Sequence, residues 1–172
     1  MEKKPIRFDD QKKPPLVTIV GPINEQTSKE LLPLIDQIKE SCQFNLKEVT
    51  SVNSLGTMAW VRFMGLLGQK CPHIELHECS VDFIAQANMI ASFFGSGRVL
   101  SFYGLYCCTD CPHEESHLFD LASLKTHAGE MEKRIHMPLI CGKCGNEMEL
   151  SDDAKTYLQK QLKQLEIQRK TA

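Results

Sequence analysis

Charge of one sign is scarce in this chain. Twenty lysines and arginines face 22 acids over 172 residues, a formal net charge of −2. A nucleic-acid binder clusters positive charge to release counterions from phosphates, so the bulk composition names no polyanionic partner. Long apolar runs are also missing. The longest, Met58 to Leu67, is interrupted by Arg62 and falls short of the roughly 20 residues that span a bilayer, so no membrane insertion is expected. The first residues, MEKKPIRFDDQKKPP, have no apolar core of the kind a secretory leader requires. The expected location is therefore the cytoplasm, where thiols stay reduced. Nor is there an H-E-x-x-H, a P-loop or a nucleophile elbow. No catalytic residue and no organic cofactor site is expected, and the protein reads as a non-enzyme.

What is present begins with cysteine. Of the 8 cysteines, Cys108 and Cys111 flank Thr109-Asp110, and Cys141 and Cys144 flank Gly142-Lys143. Two residues between paired cysteines let a tight turn aim both sulfurs at one ion at about 2.3 Å. Two such turns in a chain with reduced thiols read as a closed four-thiolate site for structural Zn²⁺, with iron as the other metal this donor set suits. A redox dithiol is the competing chemistry. Gly145, after the second pair, supplies the open backbone of such a turn; Pro112 follows the first. The stretch between Cys111 and Cys141 exceeds the usual spacing of about 15–20 residues, so an extra hairpin or helix is expected there. Cys107 competes with Cys108 for a ligand position, though its spacing to Cys111 is one residue longer. His113 or His117 could replace a cysteine, and His127 lies in the same stretch. A closed set leaves no open position for water, which argues against a catalytic zinc. Residues 108–150 hold eight acids and four bases, the wrong sign for DNA. Cys42, Cys71 and Cys79 read as small hydrophobes, and His73, His77 and His136 as surface or strand residues.

Upstream, strand and helix patterns alternate. Leu16 to Val20 is a β-branched run closed by Gly21-Pro22, and Ile6 with Phe8 suggests an edge strand before it. Leu31, Leu34, Ile35 and Ile38 share a helical face, and Thr27 with Glu30 resembles a capping box. Pro33 conflicts with that start, so the helix either begins nearer Leu32 or is kinked. Phe44 to Val52 reads as a strand and Leu55 to Gly68 as a helix apolar on two faces, buried against more than one neighbour. His73 to Cys79, Val81 to Ala91 and Val99 to Tyr106 continue as strand, helix and strand. This order predicts a mixed, largely parallel sheet with helices packed on it. Ser151 to Arg169 is a final helix, with Ser151 as its cap and Asp152 and Asp153 suited to its positive end. Its stripe of Ala154, Leu158, Leu162 and Leu165 either docks on its own domain or makes a short dimerising seam, so a homodimer stays open. The chain divides into 1–15, a flexible end or edge strand; 16–106, an α/β domain; 107–150, a zinc-ribbon-like module; and 151–172, a helix.

Two short signatures carry a resemblance. The first strand ends in Gly21-Pro22-Ile23-Asn24, and the helix after the next strand opens with Asn53-Ser54-Leu55-Gly56. Together with the element order, they resemble the STAS family, shared by sulphate transporters and anti-sigma-factor antagonists, over roughly Leu16 to Leu105. The resemblance implies a bacterial α/β docking module in a signalling or scaffold role, with an anti-sigma-like kinase or another signalling protein as partner. It also implies phosphorylation of the serine matching Ser54, which would place about −2 charge at a helix N-terminus. The family's two signature aspartates are here Asn24 and Asn53, and its next Ser or Thr is Leu55, so acidic surface that a kinase would read is missing. Ser54 also has a purely structural reading as a helix N-cap. The docking surface implied is Asn24, Asn53, Ser54 and the following helix. Two alternatives come from the cysteines: a metal or redox sensor of the zinc–thiolate type, and a nucleic-acid-binding regulator using the ribbon.

Overall fold

The computed structural model describes residues 4–121, 129–130, 132–133 and 135–171. A five-stranded sheet comes first, in spatial order β1-β2-β3-β4-β5. β1 (Ile6–Asp9) runs antiparallel to β2 (Leu16–Ile23). β3 (Ser41–Val52), β4 (His73–His77) and the two-residue β5 (Arg98–Val99) then add in parallel. Helices make the crossovers that parallel pairing demands: α1 (Glu25–Leu31), α2 (Ser54–Lys70) and α3 (Val81–Met89). The alternation in β2 buries Val17, Ile19 and Ile23 completely, and these meet Phe44 and Leu46 of β3 in one core. Trp60 and Phe63 of α2 set their rings against Phe44 at centroid distances of 5.8 and 5.9 Å.

Two readings of the first helix are corrected. It starts earlier, because Asn24 rather than Thr27 caps it: the Asn24 carboxamide accepts from the N–H groups of Gln26 and Thr27 at 2.9 and 3.2 Å. Thr27 is instead buried, its hydroxyl donating to the Pro22 carbonyl at 2.7 Å. Pro33 neither kinks α1 nor opens it. The α-helix ends at Leu31, and a separate 3-10 turn, Leu32–Asp36, takes the proline at its start, where a missing N–H costs nothing.

A second sheet, wholly antiparallel, has the order β7-β6-β9-β8. It contains β6 (Ser101–Cys108), β7 (Glu114–Asp120), β8 (Leu139–Ile140) and β9 (Glu147–Leu150). The single strand expected from Val99 to Tyr106 is thus divided at Leu100 between the sheets. The cause lies in β4. Glu78 turns with φ of +49°, so β4 ends at His77 and the chain beside it is released. Two bonds stitch the crossing: Cys79 N–H donates to the Ser101 carbonyl at 3.0 Å, and Tyr103 N–H to the Cys79 carbonyl at 2.8 Å. Glu78 is held there by Asn45 and Tyr103, each donating to its carboxylate at 3.0 Å, and by Ser101 Oγ, which accepts from its N–H at 2.8 Å.

The C-terminal helix, Asp152–Thr171, lies across both parts. Ala154, Tyr157 and Leu158 are buried, and Tyr157 meets Phe94 and Phe102 edge-on at 6.0 and 5.1 Å. Gly104 of β6 permits this approach, since a Cβ there would lie 2.7 Å from Phe119 and 3.1 Å from Ala154. The first part of the expected stripe therefore docks on the protein's own fold; the side chain of Leu165 lies outside the described residues. No described helix is long and apolar enough to cross a membrane.

Candidate metal centre and candidate docking face

The two cysteine pairs occupy the tips of two hairpins. Cys108 ends β6, and the turn from Thr109 to His113 leads into β7; the turn from Cys141 to Asn146 joins β8 to β9. Pairing of Cys108 with Met148 sets the hairpins side by side. Backbone bonds close each turn: Cys108 N–H to the His113 carbonyl at 2.9 Å, Gly145 N–H to the Cys141 carbonyl at 2.9 Å and Cys141 N–H to the Asn146 carbonyl at 2.7 Å. Gly145 takes φ of +78°, which a side chain would resist. The four sulfurs all lie within 4.8 Å of one another. Cys108 and Cys144 are 3.4 Å apart, and Cys111 and Cys141 3.8 Å. A tetrahedral ion with sulfur bonds of about 2.3 Å separates its ligands by about 3.8 Å, so the cluster has the size of a four-thiolate site and could hold a metal ion.

Electrostatics point the same way. The N–H groups of Asp110 and Cys111 lower the Cys108 thiol from 9.0 to about 6. At Cys144 the N–H of Asn146 also favours the thiolate, but the neighbouring sulfurs, Cys108 foremost, outweigh it and push the thiol up to about 12. Cys111 is likewise raised: the N–H of His113 works against the rise, while burial and the sulfurs of Cys108 and Cys141 carry it. Four thiolates so close repel one another, and a divalent cation in their midst removes the penalty.

The alternative ligands lie elsewhere. Cys107 precedes Cys108 on a strand, so its side chain leaves from the opposite face. Burial and the Glu114 carboxylate raise its thiol. His113 and His117 lean on Glu115, with His117 Nε2 3.0 Å and His113 Nε2 3.9 Å from its carboxylate. His127 lies outside the described residues. The three other cysteines are fully buried; burial pushes Cys42 and Cys79 up. Cys42 and Cys71 touch at 3.8 Å, a contact hidden in the sequence by the chain between them.

The second candidate site follows from strand register. Ile23 pairs with Val52, so the residues that follow each, Asn24 and Asn53, sit side by side. Both are helix caps. Asn53 is extended, at φ −86° and ψ 172°, and accepts from the Gly56 N–H at 2.7 Å. The cap is therefore Asn53 and not Ser54; Ser54 is the first residue of α2, it is exposed, and its hydroxyl makes no hydrogen bond to another described residue. Gly56 is fixed by contact, since a Cβ there would collide with the Ile23 carbonyl group. The expectation that α2 is buried on two faces is also corrected. Gly56, Trp60, Phe63, Met64 and Leu67 face the core, while Leu55, Met58 and Leu66 are exposed. Counting apolar residues around the helix overstated its contacts, because no described residue covers that side. Comparisons with protein-family models, with curated proteins and with solved structures return no match, so the fold and both sites stand on their geometry.

Proposed function

We propose that this protein is a non-enzymatic docking module of the STAS-like type, acting in bacterial signalling or as a scaffold in the cytoplasm, with its cysteine cluster holding a structural Zn²⁺. The observation that carries the docking reading is the pair of adjacent asparagine caps. They bring the starts of α1 and α2 to one edge and leave the Ser54 hydroxyl free beside N–H groups of α2. A phosphate on Ser54 would add about −2 charge where the helix dipole is positive. The strand order and the close packing at Gly56 support the same reading. A closed set of four sulfurs supports a metal that holds the two hairpin tips together rather than one that reacts.

The test is affinity capture from the native cell with wild-type protein and Ser54→Asp, followed by mass spectrometry. One signalling protein retained by one form and lost by the other is expected; no specific partner for either form overturns the docking reading. Metal analysis of protein purified without added metal should give about one equivalent of zinc per chain, and the absence of both zinc and iron overturns the metal reading. A sensor role is the second reading, favoured by the exposure of Cys144. Metal ejected by mild peroxide, with movement of the C-terminal helix, would support it; an inert site would not.

A further inference from the structure

The exposed side of α2 carries a glycine that no contact among the described residues requires. Gly65 is exposed in the body of the helix, and a Cβ added to it would meet nothing within 4 Å. Glycine is the poorest helix former after proline. The glycines at Gly56, Gly97 and Gly104 each have a neighbour pressed against them; Gly65 leaves room that no described residue fills. Around it lie Leu55, Met58 and Leu66, exposed at 51%, 69% and 37%. Helical spacing sets these with Arg62 on one face. Arg62 is exposed and, among the described residues, forms no ion pair, whereas Lys70 on the same helix is paired with Asp36 at 2.7 Å.

We propose that this face seats an amphipathic helix of a partner protein, crossing α2 at Gly65 and presenting a carboxylate to Arg62. A glycine at the crossing lets two helix axes approach to about 8 Å, the short end of the packing range. The apolar residues on either side bury against the partner's stripe, and the lone cation at the centre specifies an acidic mate. A second copy of this chain fits less well: α2 has no Asp or Glu, so two α2 faces crossing at Gly65 would offer Arg62 no carboxylate and add a second arginine to the interface. The inference deepens the docking reading and rests on it.

The test places a photoreactive amino acid at Met58 and, in a separate protein, at Gln26 beside Asn24, each in the full chain in its native cell. Cross-linked peptides are then identified by mass spectrometry. The Met58 probe should capture a helix of one other protein bearing Asp or Glu. Gly65→Leu and Arg62→Glu should each lower that yield at least ten-fold while Gly65→Ala leaves the melting temperature unchanged or higher. Capture at Gln26 but not at Met58 overturns the inference and leaves the docking reading standing; capture at neither overturns both. A Met58 cross-link to a second copy, to a non-helical segment, or one indifferent to Gly65→Leu also overturns the inference.

Discussion

At Asn24 and Asn53 an amide does what an aspartate could do. Each side-chain oxygen accepts the N–H groups that open a helix, and that requires a lone pair, not a charge. Asn53→Ala should cost about 1 kcal/mol in urea unfolding. Asn53→Asp should keep the fold and gain a few tenths of a kcal/mol from the helix dipole at low salt. The cysteines separate by proton affinity. Near neutral pH, Cys108 has already lost its proton, whereas Cys111 and Cys144 still hold theirs. Zinc binding must therefore release protons, and calorimetry in buffers of different ionisation enthalpy should detect them. In the metal-free protein the depressed Cys108 thiol favours the folded state above its ordinary 9.0, and that contribution is lost as pH falls through about 6. Below that point zinc must displace the Cys108 proton as well, so affinity should fall more steeply with acid. The clustering of Cys108, Cys111, Cys141 and Cys144 was legible because C-x-x-C spacing is a local property of turns. The cap at Asn53 was not, because Asn53 and Ser54 are equally good caps and only the backbone angles choose between them.

At the scale of elements, strands and helices follow from periodicity, and their order along the first hundred residues was legible throughout. What escaped was decided by contacts distant in sequence. The division of β5 from β6 depends on the turn at Glu78, which Asn45 of β3 and Tyr103 and Ser101 of β6 hold in place. The open side of α2 could not be read because an apolar residue looks the same in sequence whether its neighbour belongs to the chain or to a partner. Gly104 shows how tightly the C-terminal helix is seated. Gly104→Val raises strand propensity but drives side-chain atoms into Phe119 and Ala154, and overpacking of this kind costs about 1–3 kcal/mol. Thermal unfolding should show the loss, and proteolysis should cut the C-terminal helix sooner.

Across the whole molecule, the buried residues form one connected cluster from Ile6 in the first sheet to Leu158 in the C-terminal helix. The second sheet, which carries the cysteine cluster, is therefore not a separate bead. Its inner end, at Phe102, Tyr106 and Phe119, belongs to the common core; only its outer end depends on the sulfurs. Chelation should therefore erase hydrogen-exchange protection at Cys111, Gly145 and Asn146 first, while β2, β3 and α2 keep theirs. Simultaneous loss everywhere would show instead that the metal holds the entire fold.

Ring contacts run from Trp60 through Phe83 and Phe93 to Phe94, then through Tyr157 to Phe102 and Phe119. Trp60 is the only tryptophan in the chain; it is fully buried, its indole N–H donating to the Phe93 carbonyl at 2.9 Å. The protein thus carries a built-in optical gauge at the far end of that chain of rings. Emission that stays blue while metal is withdrawn means the disturbance has stopped at the hairpin tips; a red shift means it has crossed from one sheet to the other.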